Sequence, residues 1–213
     1  MGKASRKKRP VKAKARKSSL GFTIVIVAIV ALGGVGIALS RGGGDGTGDE
    51  PPGLNDHWHT AYGINICGTE QPNLPQPSRL LGVHTHNDGL LHVEPYVTGS
   101  ILDRGPNANL ARFVEGMPGF KLNANEIQVP GGQLMKNGDK CDGDKPGRLV
   151  LRQWPDAAGE EFTDYTEPED VKVLDGAALT IAFVPEGTEL AKPSSIPYLA
   201  NPNAGEGQAV PQG

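Results

Sequence analysis

Residues 81–94 read LGVHTHNDGLLHVE, and the register of this stretch decides how the rest of the chain is understood. Asn87, Asp88 and Gly89 are turn formers with apolar and histidine residues on either side, the pattern of two strands joined by a tight loop. Loop length sets which side chains share a face, because a one-residue slip moves every side chain across the sheet. A two-residue loop of Asp88 and Gly89 pairs Thr85 with His92 and mixes apolar and charged groups on both faces. A three-residue loop, a type I turn closed by Gly89 in the left-handed conformation, pairs His84 with His92 and His86 with Leu90. It collects Leu81, Val83, Leu91 and Val93 on one face, and Gly82, His84, His86, Leu90, His92 and Glu94 on the other. That segregation selects the three-residue loop.

The same arrangement is written once more upstream. Trp58, Tyr62, Ile64 and Ile66 alternate with His57, His59, Ala61, Gly63 and Asn65, the period of a half-buried strand. The chain has 5 histidines. All lie between His57 and His92, and four of them form the pairs His57-Trp58-His59 and His84-Thr85-His86. Residues i and i+2 of a strand point the same way, so each pair presents two imidazoles side by side. If the first strand lies beside the hairpin, up to five imidazoles and one carboxylate converge. His84 and His86 lead as metal ligands, followed by His57, His59 and His92, with Glu94 and Asp88 behind them.

A nitrogen and oxygen donor set of this kind suits Zn²⁺, Cu²⁺, Ni²⁺ or Fe²⁺, with zinc or copper the leading candidates. The bland alternative is a group of polar strand residues bonded to their neighbours, or single histidines satisfied in the core. Three histidines with an open position would make a catalytic zinc and four closed ligands a structural one.

The first 19 residues hold nine Lys or Arg and no acidic residue, and an uncharged run at 20–39 follows. A run of roughly 20 residues spans a bilayer. Basic flanks stay inside, so the reading is a cytoplasmic tail (1–19), a transmembrane helix (20–40) and everything later outside the cytoplasm. A cleaved signal peptide ending near Ala38-Leu39-Ser40 is the rival, and it sends the domain to the same compartment. Residues 41–55 form a Gly/Asp/Pro-rich linker and 201–213 a disordered tail. Between them, 56–200 is the size of one domain.

The formal net charge of −3 hides opposed parts. Beyond the basic tail, acidic residues outnumber basic ones two to one, which argues against a nucleic-acid partner. The expected partners are the membrane and an envelope protein. The two cysteines, Cys67 and Cys141, both fall in the exported part, where a lone pair forms one structural disulfide. Thiolate ligation or redox work would want Cys-x-x-Cys spacing, which is absent.

The fold class expected is α+β, mainly β: one domain with a mostly antiparallel sheet and one short helix. Further strands are expected at 120–122, 126–129, 148–154, 171–174 and 179–184, the last two as a hairpin turning at Asp175-Gly176. Leu110, Phe113, Val114 and Met117 have helical spacing, with Asn107 as N-cap and Gly116 or Gly119 as the stop. Asp139, Asp142 and Asp144 sit in an acidic turn beside Cys141 and lack the flanking helices and terminal Glu of a Ca²⁺-binding EF-hand. The acidic stretch from Glu160 to Asp170 reads as solvated surface. No G-x-S-x-G elbow or phosphate loop is present, and Ser78 and Ser100 have no triad spacing.

His84-Thr85-His86-Asn87-Asp88 resembles the opening of metallo-β-lactamase-type hydrolases, with Gly89 where their next histidine belongs. It is also similar to the start of PHP phosphoesterases, which are far longer. A cupin would need a Glu nearer the pair and a later histidine. No activity is carried over from these matches. The exported segment as a whole, with HWH, HTHNDG and FVPEGTE, resembles uncharacterised bacterial single-pass membrane-anchored proteins, which implies an anchor and brings no activity. The leading expectation is thus a membrane-anchored domain that binds a transition metal. A zinc-dependent hydrolase or hydratase, with Glu94 or Asp88 as base, and an envelope interaction domain without metal are the alternatives.

Overall fold

The computed structural model describes residues 51–202. The expected basic tail, the apolar run at 20–40, most of the linker and nearly all of the C-terminal tail lie outside the described residues. Among the described residues no helix is long and apolar enough to cross a membrane.

The architecture is mainly β with a single α-helix among the described residues. A large sheet is built from β1 (Trp58–Ile66), β2 (Thr69–Glu70), β3 (Val83–His84), β4 (Leu90–Val93), β8 (Gly147–Trp154), β9 (Thr163–Tyr165) and β10 (Ala177–Pro185). Its order is β3-β4-β1-β10-β8-β9, with β2 paired to β1. A small sheet holds β5 (Lys121–Asn123), β6 (Glu126–Gln128) and β7 (Met135–Lys136). The large sheet is antiparallel except at its centre, where β1 and β10 run parallel with Tyr62 opposite Leu179 and Ile64 opposite Ile181. Its middle strand β10 is buried from Ala177 to Val184. That is why AALTIAFV reads as a nearly unbroken apolar run: a strand covered on both faces has no solvent side to alternate with.

One face of the β3-β4-β1 portion rests on the main core. Tyr62, Ile64, Val83, Leu91 and Val93 pack there with Leu110, Phe113, Leu151 and Phe183. The helix α1 (Leu110–Gly116) contributes Leu110 and Phe113 to this core. Its N-cap is Asn109, whose side chain accepts from the Arg112 N–H, and not Asn107 as the spacing suggests. Asn107 instead closes a preceding 3₁₀ turn. Cys67 and Cys141 are disulfide-bonded across 74 residues. This ties the end of β1 to the turn before β8 and closes a loop whose restriction is worth ~2–4 kcal/mol. In that turn Asp139 accepts from the Lys136 N–H and Asp144 pairs with Lys140.

The expected hairpin of 171–174 with 179–184 does not form. Both edges of β10 are taken, by β1 and by β8. Residues 171–174 pair instead with the chain entering α1: Val171 O accepts from Leu110 N–H and Val173 N–H donates to Ala108 O. Turn residues at Asp175 and Gly176 announced a reversal and left its partner unspecified.

Candidate metal centre

The hairpin adopts the three-residue register. Val83 faces Val93 and His84 faces His92, and the ladder continues with the Glu94 N–H donating to Gly82 O. Gly89 has the expected positive φ of 77°, but Asn87 lies at 66° as well, so the loop is not type I. Asn tolerates this region through local hydrogen bonding. Gly89 is required on two grounds: its φ, and a Cβ there would lie 2.6 Å from Ser195 Cβ.

Strand β1 lies directly against β4, antiparallel, with His59 opposite His92 and Trp58 opposite Val93. His84, His92 and His59 therefore form one row across three adjacent strands. The two-residue strand period adds Glu94 beside His92, and His57 beside His59, on the same face. His86 joins them from the loop side of the hairpin. Ring centroids are 4.7 Å apart for His59 and His92, 4.5 Å for His86 and His92, 4.7 Å for His84 and His86, and 4.6 Å for His57 and His59. All five imidazoles and Glu94 come together, and His84, His92 and Glu94 are buried.

The hydrogen bonds indicate which ring nitrogens are left for a ligand. His84 Nδ1 lies 2.8 Å from Leu81 O, which can only accept, so Nδ1 carries the proton and Nε2 is bare. That Nε2 is hydrogen-bonded to His86 Nε2 at 3.1 Å and lies 3.8 Å from Glu94 Oε2. His92 Nε2 donates to Asp88 Oδ2 at 2.7 Å. Its Nδ1 is then a bare lone pair, buried and without any hydrogen-bond partner, and His59 Nε2 is likewise buried without a partner. His57 Nε2 is 2.8 Å from Glu94 Oε1. Donor atoms within 4.8 Å of one another fall into two groups that could hold a metal ion: His57, His59 and His92, and His84, His86 and Glu94.

Asp88 does not point its oxygens at the cluster as a ligand. Oδ2 holds His92, while Oδ1 accepts from the Leu90 N–H at 3.0 Å and the Thr85 hydroxyl at 3.4 Å. A carboxylate behind a ligating imidazole fixes its tautomer and raises its basicity. Burial works to raise the Asp88 carboxyl, but the His92 hydrogen bond and charge and the Leu90 N–H outweigh it and hold it below its ordinary value. Burial drives His59 down to about 4, helped by the neighbouring His92 and His57. It also takes His84 to about 4 against the opposing pull of Glu94 and the Leu81 carbonyl. At neutral pH both rings are uncharged, the state a metal needs.

The donors fit a transition metal. Buried polar atoms nearly always find a partner, and two unpartnered imidazole nitrogens in one cluster are atoms a cation could use. Tetrahedral zinc with bonds of about 2.0–2.1 Å sets its ligand nitrogens roughly 3.3 Å apart, close to the 3.1 Å between His84 and His86. Sequence reasoning did not find the Leu81 carbonyl or the holding role of Asp88. The place of Asp88 in the turn, where an Asx-type side chain bonds the N–H two residues onward at Leu90, was the available signal for the latter. No protein-family model, curated protein or solved structure matches the chain, so the site is read from its own geometry.

Proposed function

We propose that this protein is a membrane-tethered domain, displayed outside the cytoplasm, that binds a transition metal through His57, His59, His84, His86, His92 and Glu94. Zinc is the first candidate and Cu²⁺ the second, since the donors are imidazole and carboxylate with no free thiolate among the described residues. The observation that carries the reading is the pair of buried ring nitrogens, His59 Nε2 and His92 Nδ1, with no hydrogen-bond partner. The Cys67–Cys141 disulfide supports an oxidising compartment, and the basic tail followed by an uncharged run supports the anchor.

Elemental analysis of the whole purified chain tests this. Wild type should carry stoichiometric metal, and His84→Ala/His86→Ala should lose part or all of it. A wild-type chain that stays metal-free when offered Zn²⁺ or Cu²⁺ removes the proposal. Affinity should fall as pH drops, because protons compete for the same nitrogens.

A hydrolytic role is the second reading. It is favoured by the exposure of His57, whose side chain is 41% accessible beside Glu94. A zinc held there by three nitrogens would keep a solvent-facing position for water, lowered to a pKa near 7. Turnover of ester or phosphoester substrates by the zinc-loaded chain, lost in Glu94→Gln, is its test.

A further inference from the structure

Glu94 stands between the two donor groups, and each of its oxygens faces a different one. Oε1 is 2.8 Å from His57 Nε2 and 3.9 Å from His92 Nδ1. Oε2 is 3.8 Å from His84 Nε2, which in turn lies 3.1 Å from His86 Nε2. Resting on the metal-binding reading above, we propose that the centre is dinuclear. One ion is held by His57, His59 and His92, a second by His84 and His86, and the Glu94 carboxylate bridges them.

Three observations converge on two ions. First, six donors are more than one zinc accommodates, because zinc sites with nitrogen ligands are four-coordinate or, transiently, five-coordinate. Second, the donors divide into two groups of three, each with ligand atoms within 4.8 Å of one another. The row His84, His92, His59 spans three strands, so its outer members sit two strand spacings apart, roughly 9–10 Å between backbones. A single ion held by His84 and His86 would leave His59 Nε2 and His92 Nδ1 without a partner, and one held by His57, His59 and His92 would leave the second set of converging donors unused. Third, the charges suit two cations. Burying two dications among neutral imidazoles is costly unless anions lie beside them. Glu94 supplies one directly, and Asp88 supplies a second through the His92 ring, to which it is bonded at 2.7 Å. Carboxylate-bridged pairs hold their metals about 3.5–4 Å apart, the span over which one carboxylate can offer an oxygen to each.

The site that results takes divalent first-row ions, and its open edge is at His57. A ligand bound there would be an oxygen donor able to touch both ions, such as hydroxide or an oxyanion.

The test is a Zn²⁺ titration of the whole chain after chelator stripping, read by calorimetry and by metal retained after gel filtration. Wild type should take two equivalents. His84→Ala/His86→Ala and His57→Ala/His59→Ala should each keep one. X-ray absorption on the loaded wild type should show a metal–metal vector of about 3.5–4 Å, and Glu94→Gln should lose that vector while weakening one equivalent roughly tenfold to a hundredfold. Far-UV circular dichroism and the intact Cys67–Cys141 bond on non-reducing gels confirm that each variant is folded, and the isosteric Glu94→Gln keeps the test alive if a double variant is not. One equivalent in wild type with no metal–metal vector overturns the dinuclear centre and leaves the metal-binding reading standing. No binding overturns both.

Discussion

The β3-β4-β1 part of the large sheet and its β10-β8 part both bury polar side chains, and they treat them differently. In β10 and β8 the buried Thr180 and Gln153 each donate to a main-chain carbonyl, Ala191 O at 2.8 Å and Lys172 O at 2.7 Å. Across β3, β4 and β1 the sheet buries imidazoles instead, and two of their nitrogens face nothing that can bond them. A polar group buried for structure comes with its partner inside the protein. One buried without a partner leaves room for a ligand from outside, and the contrast within a single sheet marks the candidate site.

The largest effect expected from this difference is on metal removal. A ligand that binds only the native state at a thousandfold over its Kd stabilises by about 4 kcal/mol. Stripping metal from the wild-type chain should therefore lower Tm by many degrees, and the same treatment of His84→Ala/His86→Ala should lower it distinctly less. Equal shifts in the two would break the comparison.

Next in size is Asp88→Asn. Asn can still accept from the Leu90 N–H, but it offers its amide N–H to His92 Nε2 and so moves the ring proton onto Nδ1. That blocks the lone pair the ion would use. Metal affinity should drop roughly tenfold to a hundredfold with little loss of fold, measured by competition with a chromophoric chelator. An unchanged affinity would place His92 outside the metal's reach.

In β10, Thr180→Val should cost about 1 kcal/mol by leaving Ala191 O without its donor, and metal content should not change. His59→Leu is the mirror case. It removes a ring nitrogen that has no partner, so the metal-free protein should be as stable as wild type or slightly more so, while metal content falls. Chemical denaturation of the stripped proteins reads both. Were His59→Leu as costly as a core truncation, the bare nitrogen would have had a structural partner after all.

The pH dependence sharpens the contrast further. His59 and His84 have folded-state values near 4 against an ordinary 6.5. The unfolded chain therefore takes up their protons first as pH falls. The stability tied to their neutral state is fully present above about pH 6.5 and is lost progressively down to about pH 4. Melts of the stripped wild type should show this decline, and His59→Leu should show less of it.

How much of this was legible beforehand follows from which forces are local. The pairing of His84 with His92 was readable because only one register separates Val83, Leu91 and Val93 from the imidazoles. The disulfide was readable because the chain holds two cysteines and no other partner for either. That β1 lies against β4, with His59 opposite His92, was open: hydrophobic alternation marks a strand and is silent about its neighbour. The parallel pairing of β1 with β10, more than 100 residues apart, is a long-range contact with no local trace. It is also why 171–174 lost the hairpin its turn residues suggested. Asp88 was weighed as a weak ligand because a carboxylate two residues beyond a His-x-His pair looks like one. Its burial behind His92, with both oxygens already bonded, could only be seen in three dimensions.

Anomalous diffraction at the zinc edge from crystals of the zinc-loaded chain addresses the central claim most directly. Strong peaks on the imidazole face, within bonding distance of His59 Nε2 and His92 Nδ1, are the predicted result. Crystals grown with zinc that show no anomalous density there, and ordered water on those two nitrogens instead, would contradict it.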